Sequence, residues 1–147
     1  ADKVHIHTNS WLLALNTLSD TPEIEIGDEV YIGRFSHIVS VKSVKIGKNV
    51  LISDKVYISD NLHEYKDIDI PIKKQKIINK SIVSIGDNSW LGENSCIIGA
   101  SIGKHCVIGA NSVVLSDIPD YSIAVGTPAR VIKRYNRDKN IWEKYNA

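Results

Sequence analysis

Between Val83 and Val114 the chain reads VSIGDNSWLGENSCIIGASIGKHCVIGANSVV, and an aliphatic residue followed by glycine keeps returning: Ile85-Gly86, Leu91-Gly92, Ile102-Gly103 and Ile108-Gly109. The step is six residues, shortened once to five between Ile97 and Ile102. Two positions before each aliphatic stands a small residue: Val83, Ser89, Ser95, Ala100, Cys106 and Ser112. An offset of two puts both side chains on one face of a strand. Each hexad therefore supplies one large and one small inward side chain, then a glycine that eases the next bend. A fixed period this short predicts a solenoid, and a hexapeptide period predicts a parallel β-helix.

The same spacing occurs upstream. Anchors fall at Ile26-Gly27, Ile32-Gly33, Ile38, Ile46-Gly47, Ile52 and Ile58, with a slip of two residues before Ile46. Seven of the nine glycines directly follow an aliphatic anchor, which random placement would not produce. Two repeat blocks, 24–63 and 82–118, are therefore expected within a single domain spanning 1–147. Between them, residues 64–81 (EYKDIDIPIKKQKIINKS) break the period and are expected to form a loop thrown out from the coil, a usual place for function on a rigid scaffold. Residues 1–23 are the least regular. His5 and His7 share a face of a strand there, but no third ligand of suitable spacing accompanies them, so an exposed strand edge is expected rather than a metal site. At the other end, Tyr135, Ile141, Trp142 and Tyr145 are interleaved with polar residues. This predicts a short helix over 134–147 that lays one face on the coil and caps its open end.

Length and charge narrow the function. The chain has 147 residues, enough for one domain with a real core. A formal charge of +1 gives no general attraction to nucleic acid or anionic membrane. No apolar run is long enough to span a bilayer, and no secretory leader opens the chain. Ala1 opens it and Met is absent, so the initiator has been removed or the chain is a trimmed piece. Cys96 and Cys106 form no C-x-x-C pair and read as free thiols in a reducing cytoplasm.

Three stretches, IGDNSWLGENS, IGANSVV-x-x-DIP and VGTPARVIK, occur in that order along about residues 24–133. In them the chain resembles the hexapeptide-repeat O-acetyltransferases, the group that holds galactoside and maltose acetyltransferases and sugar acetyltransferases of surface-polysaccharide pathways. The resemblance implies an all-β fold, a left-handed parallel β-helix with three hexads per turn. It also implies a homotrimer with active sites between adjacent subunits. The implied activity is transfer of an acetyl group from acetyl-CoA, with no metal, to the hydroxyl of a sugar or glycoconjugate.

Direct transfer needs a base that takes the proton of the attacking hydroxyl, and histidine suits this near neutral pH. It also needs donors for the oxyanion of the tetrahedral intermediate. His63 ends ISDNLH, five residues after the anchor Ile58, the offset of the family's catalytic histidine. Glu64, Asp60 or a backbone carbonyl would orient it. Asp60 and Asn61 are the candidates for holding the acceptor. By resemblance Trp90 lines the cleft, and a backbone N–H near Gly92-Glu93 serves the oxyanion. Gly109, Ala110 and Ser112 contact the pantetheine arm of acetyl-CoA, and Arg130 and Lys133 take its phosphates, which arginine and lysine suit. One departure from the family is Leu115-Ser116-Asp117, where many relatives carry Thr-Lys-Asp; either the affinity for CoA is lower or Lys104 or Lys133 replaces the lost cation. Competing readings are N-acetylation of an amino sugar, a γ-type carbonic anhydrase with three zinc-binding histidines, and a non-catalytic assembly module. Against the hydratase, His37, His63 and His105 are far apart, with no close pair except His5/His7.

Overall fold

The computed structural model describes residues 1–145. The chain winds as a left-handed parallel β-helix, a three-sided prism of stacked coils. Face I stacks His5–Ile6, Tyr31–Ile32, Leu51–Ile52, Trp90–Leu91, Val107–Ile108 and Ser122–Gly126 in parallel. Face II stacks Trp11–Ala14, His37–Ser40, Tyr57–Ser59, Cys96–Ile98 and Val113–Val114. Face III stacks Glu23–Ile26, Ser43–Ile46 and Val83–Ile85, continued by single bridges at Ile102 and Ile118.

The parallel register aligns the hexad anchors in vertical rows. Ile32, Ile52, Leu91 and Ile108 form one row, and Ile38, Ile58, Ile97 and Val114 another, all with no solvent exposure. Each fully buried side chain of this size contributes about 1.5–3 kcal/mol. The small inward residues fill the corners, where Ser36, Ser89, Ser95 and Ser112 are buried.

The bends between faces I and II and between faces III and I carry a residue with positive φ in each coil. At the edge between faces I and II this residue is Asn9, Phe35, Lys55, Asn94 and Asn111 in successive coils, with φ between 57° and 63°. Asparagine visits this region at least cost among side chains other than glycine. The glycine after an anchor answers a different constraint. A Cβ on Gly92 would lie 2.6 Å from the N of Ala110 in the next coil. Glycine is there because the coils stack closely, not because φ is unusual.

Two expectations need correction. The winding begins at residue 5, not at residue 24. Ile6 pairs with Ile32 and Leu12 with Ile38, so residues 5–26 form a complete first coil. The C-terminal stretch is not a helix. Ala129–Asn136 runs antiparallel to Ser122–Gly126, and Ile141–Lys144 runs antiparallel to Ala129–Asn136. The free edge of face I offers a ladder of backbone partners, and pairing satisfies it. The hairpin turn is tied by Asn136, whose Oδ1 accepts from the N–H groups of Asp138 and Lys139 at 3.0 and 3.1 Å. Tyr135 and Trp142 meet as a cross-strand pair with ring centroids 5.4 Å apart. Residues 146 and 147 of the expected helix lie outside the described residues.

The break at 64–81 is a loop, and it is rooted in a short hairpin. Asn61–His63 pairs antiparallel with Ile77–Asn79, and a 3-10 turn spans Ile72–Lys74. Asp60 anchors the hairpin. Its carboxylate is wholly buried and accepts from the N–H groups of Val41, Lys42 and Ser43 at 2.8–2.9 Å. Its main-chain oxygen accepts from the N–H of Lys80 at 2.8 Å and from Asn79 Nδ2 at 2.9 Å. Lys80 then donates from Nζ to the carbonyls of Ile98 and Leu115 at 2.8 and 3.1 Å, pinning the returning strand to the two coils below.

Asp60→Ala leaves three buried or half-buried N–H groups without an acceptor. It is expected to destabilise the fold by about 3–5 kcal/mol, read as a lower urea midpoint. Burial pushes the Cys106 thiol above its ordinary pKa, whereas Cys96 is half-buried. A thiol reagent at pH 8 is therefore expected to label Cys96 in the native protein and Cys106 only after unfolding.

Candidate active site

The reachable candidates lie on two different edges of the prism. At the edge between faces II and III, His63 projects from the loop hairpin, exposed to solvent. None of the groups expected to orient it does so within the chain. Asp60 is buried under its own corner, and Glu64 accepts from the N–H of Tyr65 at 3.0 Å. Asn61 is half-buried and donates its amide to Asp60 Oδ1 at 3.0 Å. Asp60 thus builds the loop root, and its carboxylate is closed to an acceptor.

At the edge between faces I and II is a cleft of about 310 Å³ lined by Lys55, Glu93, Asn94, Ala110 and Asn111. Sequence reasoning passes over Lys55, Asn94 and Asn111, although each stands three residues after an anchor, the offset of every positive-φ corner residue on this edge. Lys55 Nζ lies 3.3 Å from Glu93 Oε1, and Asn94 Nδ2 donates to Asn111 Oδ1 at 2.8 Å.

The backbone N–H of Glu93 is open. In three other coils the equivalent group is taken by an aspartate one coil away, Arg34 N by Asp54, Lys48 N by Asp87 and Lys104 N by Asp120, at 2.8–2.9 Å, whereas those of Asp28, Asp54, Asp87 and Ala110 have no partner among the described residues. Glu93 instead faces Ala110, which has no side-chain acceptor, and its N–H has no partner among the described residues. The N–H of Gly92 is not free, because it donates to the Ile108 carbonyl at 2.8 Å. Of the two expected oxyanion donors, only Glu93 is available.

Gly109 and Ser112 also serve the coil. Gly109 donates its N–H to the Ala124 carbonyl at 2.9 Å, and the buried Ser112 Oγ accepts from Gly126 N at 3.0 Å. As hydrogen-bonding contacts to a ligand they are spent. Ala110 is exposed and small, which leaves a shallow trough below Glu93. Arg130 and Lys133 continue the column on the outer side of face I, paired across strands with Val125 and Ile123 and exposed. Trp90 stands outward on the same face, 47% exposed, its Nε1 held by Ser53 Oγ at 3.0 Å.

An open amide, a narrow trough and two cations in one column suit a ligand with a polarisable carbonyl, a thin arm and phosphates. His63 lies across face II from this column. About five residues of strand separate the two edges, about 16 Å at 3.3 Å per residue. One chain does not bring the imidazole and the Glu93 amide together. No helix among the described residues is long and apolar enough to cross a membrane, and no three His, Cys, Asp or Glu side chains among them are grouped as metal ligands.

Comparison with known proteins gives this geometry its context. Residues 82–116 match the family described as hexapeptide repeat of succinyl-transferase. A putative lipopolysaccharide biosynthesis O-acetyl transferase, WbbJ, from Escherichia coli K12 is 40% identical over 82% of this chain and 65% of its own length. A further curated relative is 46% identical, and the chain spans 39% of it. The crystal structure of a maltose O-acetyltransferase from Clostridium difficile 630 superposes with a TM-score of 0.78 at 31% identity, over 93% of this chain and 70% of that one. The hexapeptide-repeat acetyltransferase VCA0836 from Vibrio cholerae, crystallised with acetyl coenzyme A, superposes with a TM-score of 0.70 at 26% identity, over 92% of this chain and 71% of that one. With its coils in register, its glycine-marked hexads and relatives of this kind, the chain belongs to the hexapeptide-repeat acetyltransferase family.

Proposed function

We propose that the protein is an acetyl-CoA-dependent O-acetyltransferase that acts on a sugar hydroxyl in surface polysaccharide or glycoconjugate assembly, with its active site shared between two copies in a homotrimer. The open N–H of Glu93 carries this reading. An unpaired amide beside a phosphate-suited column is what a thioester carbonyl needs when its oxygen takes up negative charge.

The loop supports the sharing. Tyr65, Ile68 and Ile72 are 63%, 94% and 56% exposed, which leaves an apolar arm uncovered in the single chain. Packed against a neighbouring copy, the arm brings His63 of one chain toward the Glu93 column of the next. His63 takes the proton of the acceptor hydroxyl as its oxygen attacks the acetyl carbon. The Glu93 N–H holds the resulting oxyanion. When the carbon–sulfur bond breaks, His63 returns the proton to the departing thiolate. Holding both substrates in one cleft supplies the proximity term. Trp90 walls the cleft, Ala110 leaves room for the pantetheine arm, and Arg130 and Lys133 hold the phosphates.

His63→Ala is expected to keep fold and assembly and to lower turnover by roughly 10²–10⁴, measured by thiol release; near-normal turnover would remove His63 from the role. Ala110→Asp restores the aspartate that closes this amide in other coils, and is expected to be inactive as well. Refolding the two variants together in equal amounts should recover about a quarter of wild-type turnover, because one active site in four then combines an intact His63 with an open Glu93 amide. No recovery would mean that the site is not shared. Arg130→Ala should raise the KM for acetyl-CoA and leave that for the acceptor unchanged; an unaltered acetyl-CoA KM would refute the phosphate assignment.

A further inference from the structure

The first two coils carry an aromatic recess that the acetyl-transfer site does not use. It has a volume of about 380 Å³ and is lined by Asn9, Trp11, Phe35, Ser36 and His37. Trp11 is 64% exposed and Phe35 is 55% exposed, so two large rings stand in water side by side. Parallel register on face II places Trp11 over His37 and His37 over Tyr57, with ring centroids 5.5 Å apart at each step. The Nε2 of His37, in the middle of this row, is buried and has no hydrogen-bond partner among the described residues.

Phe35 is out of place by the rules of the coil. It occupies the positive-φ corner, at 57°, where Asn9, Lys55, Asn94 and Asn111 stand in other coils. A bulky aromatic pays a backbone penalty there that asparagine does not. Its ring packs in no core, so the fold gains little from it. Backbone strain outside the core is the observation that motivates a functional reading of this position.

The lining contains no charged side chain, which selects a neutral ligand. It combines flat exposed apolar rings with the exposed amide of Asn9, a mixture that suits the C–H faces and hydroxyls of a pyranose. Its place on the prism agrees. Tyr57 ends the aromatic row and lies on the strand that leads through Asp60 to His63. Six residues of extended chain span at most about 20 Å, the reach of a few linked sugars.

We propose that the recess formed by Trp11, Phe35 and His37 is a distal glycan subsite, which stacks a neutral sugar ring of an oligosaccharide whose reacting end lies at His63. The role of the subsite in acceptor choice rests on the acetyltransferase reading above, whereas glycan binding by the recess does not.

The test uses the full chain on an array of immobilised neutral bacterial saccharides, one to six residues long, without acetyl-CoA. Retention is expected to increase with length and to fall about tenfold in Trp11→Ala and in Phe35→Asn. Asparagine suits the corner, so Phe35→Asn should fold with an undiminished Tm. Absence of retention on every saccharide, or retention unchanged in both variants, would overturn the proposal. So would a lower oligomer mass of either variant in sedimentation velocity, because the recess would then be a contact between copies. A kinetic arm follows thiol release from acetyl-CoA. Phe35→Asn should raise the KM for the best-retained oligosaccharide about tenfold and leave the monosaccharide KM and the kcat unchanged. Thiol release without any length dependence would remove the subsite and spare the acetyltransferase reading. Variant-sensitive retention with no thiol release would do the reverse.

Discussion

The stacking of identical inward positions in vertical register is the constraint on which everything else rests. Because Ile32, Ile52, Leu91 and Ile108 lie directly over one another, each coil buries its anchor against the coils above and below as well as across the prism interior. Strand register in such a stack has no freedom, since a slip of one residue turns every anchor outward. The interior is therefore committed to packing. Recognition and chemistry are left to the outward rows, the corners and the one loop.

That division explains why one prism does not assemble the proposed site by itself. The groups suited to the two halves of acyl transfer sit on separate edges, held apart by the width of face II. A rigid coil has no hinge with which to close that gap. In the proposed function a second copy bridges the gap, and the exposed isoleucines of the loop are the surface that such a copy would cover. Asp60 belongs to this logic although it touches no substrate. By taking three backbone donors from the corner above, it fixes where the loop leaves the coil and so where His63 stands.

Much of this was legible in the residues. The glycine-marked hexads predict the coil, its faces and the position of the loop. The first coil escapes that reading because Ile6 and Leu12 are not followed by glycine, yet their six-residue spacing and the small Val4 and Ser10 two positions before them carry the same signal. The C-terminal strands escape it for a different reason. Tyr135, Ile141, Trp142 and Tyr145 suit a helix face as a local pattern, and only the open ladder of Ser122–Gly126 decides for pairing. The site was legible as residue types but not as availability. Gly92 and Glu93 are neighbours, yet one amide is used by the next coil and the other is free, a difference that depends on Ala110 standing opposite.

A prism wound this way measures distance in whole steps. Groups on one edge are separated by multiples of the strand spacing, about 4.8 Å, and by nothing in between. From the Glu93 amide to the cation of Arg130 the sheet descends three such steps. Losing or gaining a full turn of coil would leave every anchor satisfied while moving Arg130 by one increment relative to the amide. A lineage built on this scaffold can thus refit itself to a longer or shorter ligand by discrete changes of length, without redesigning its interior.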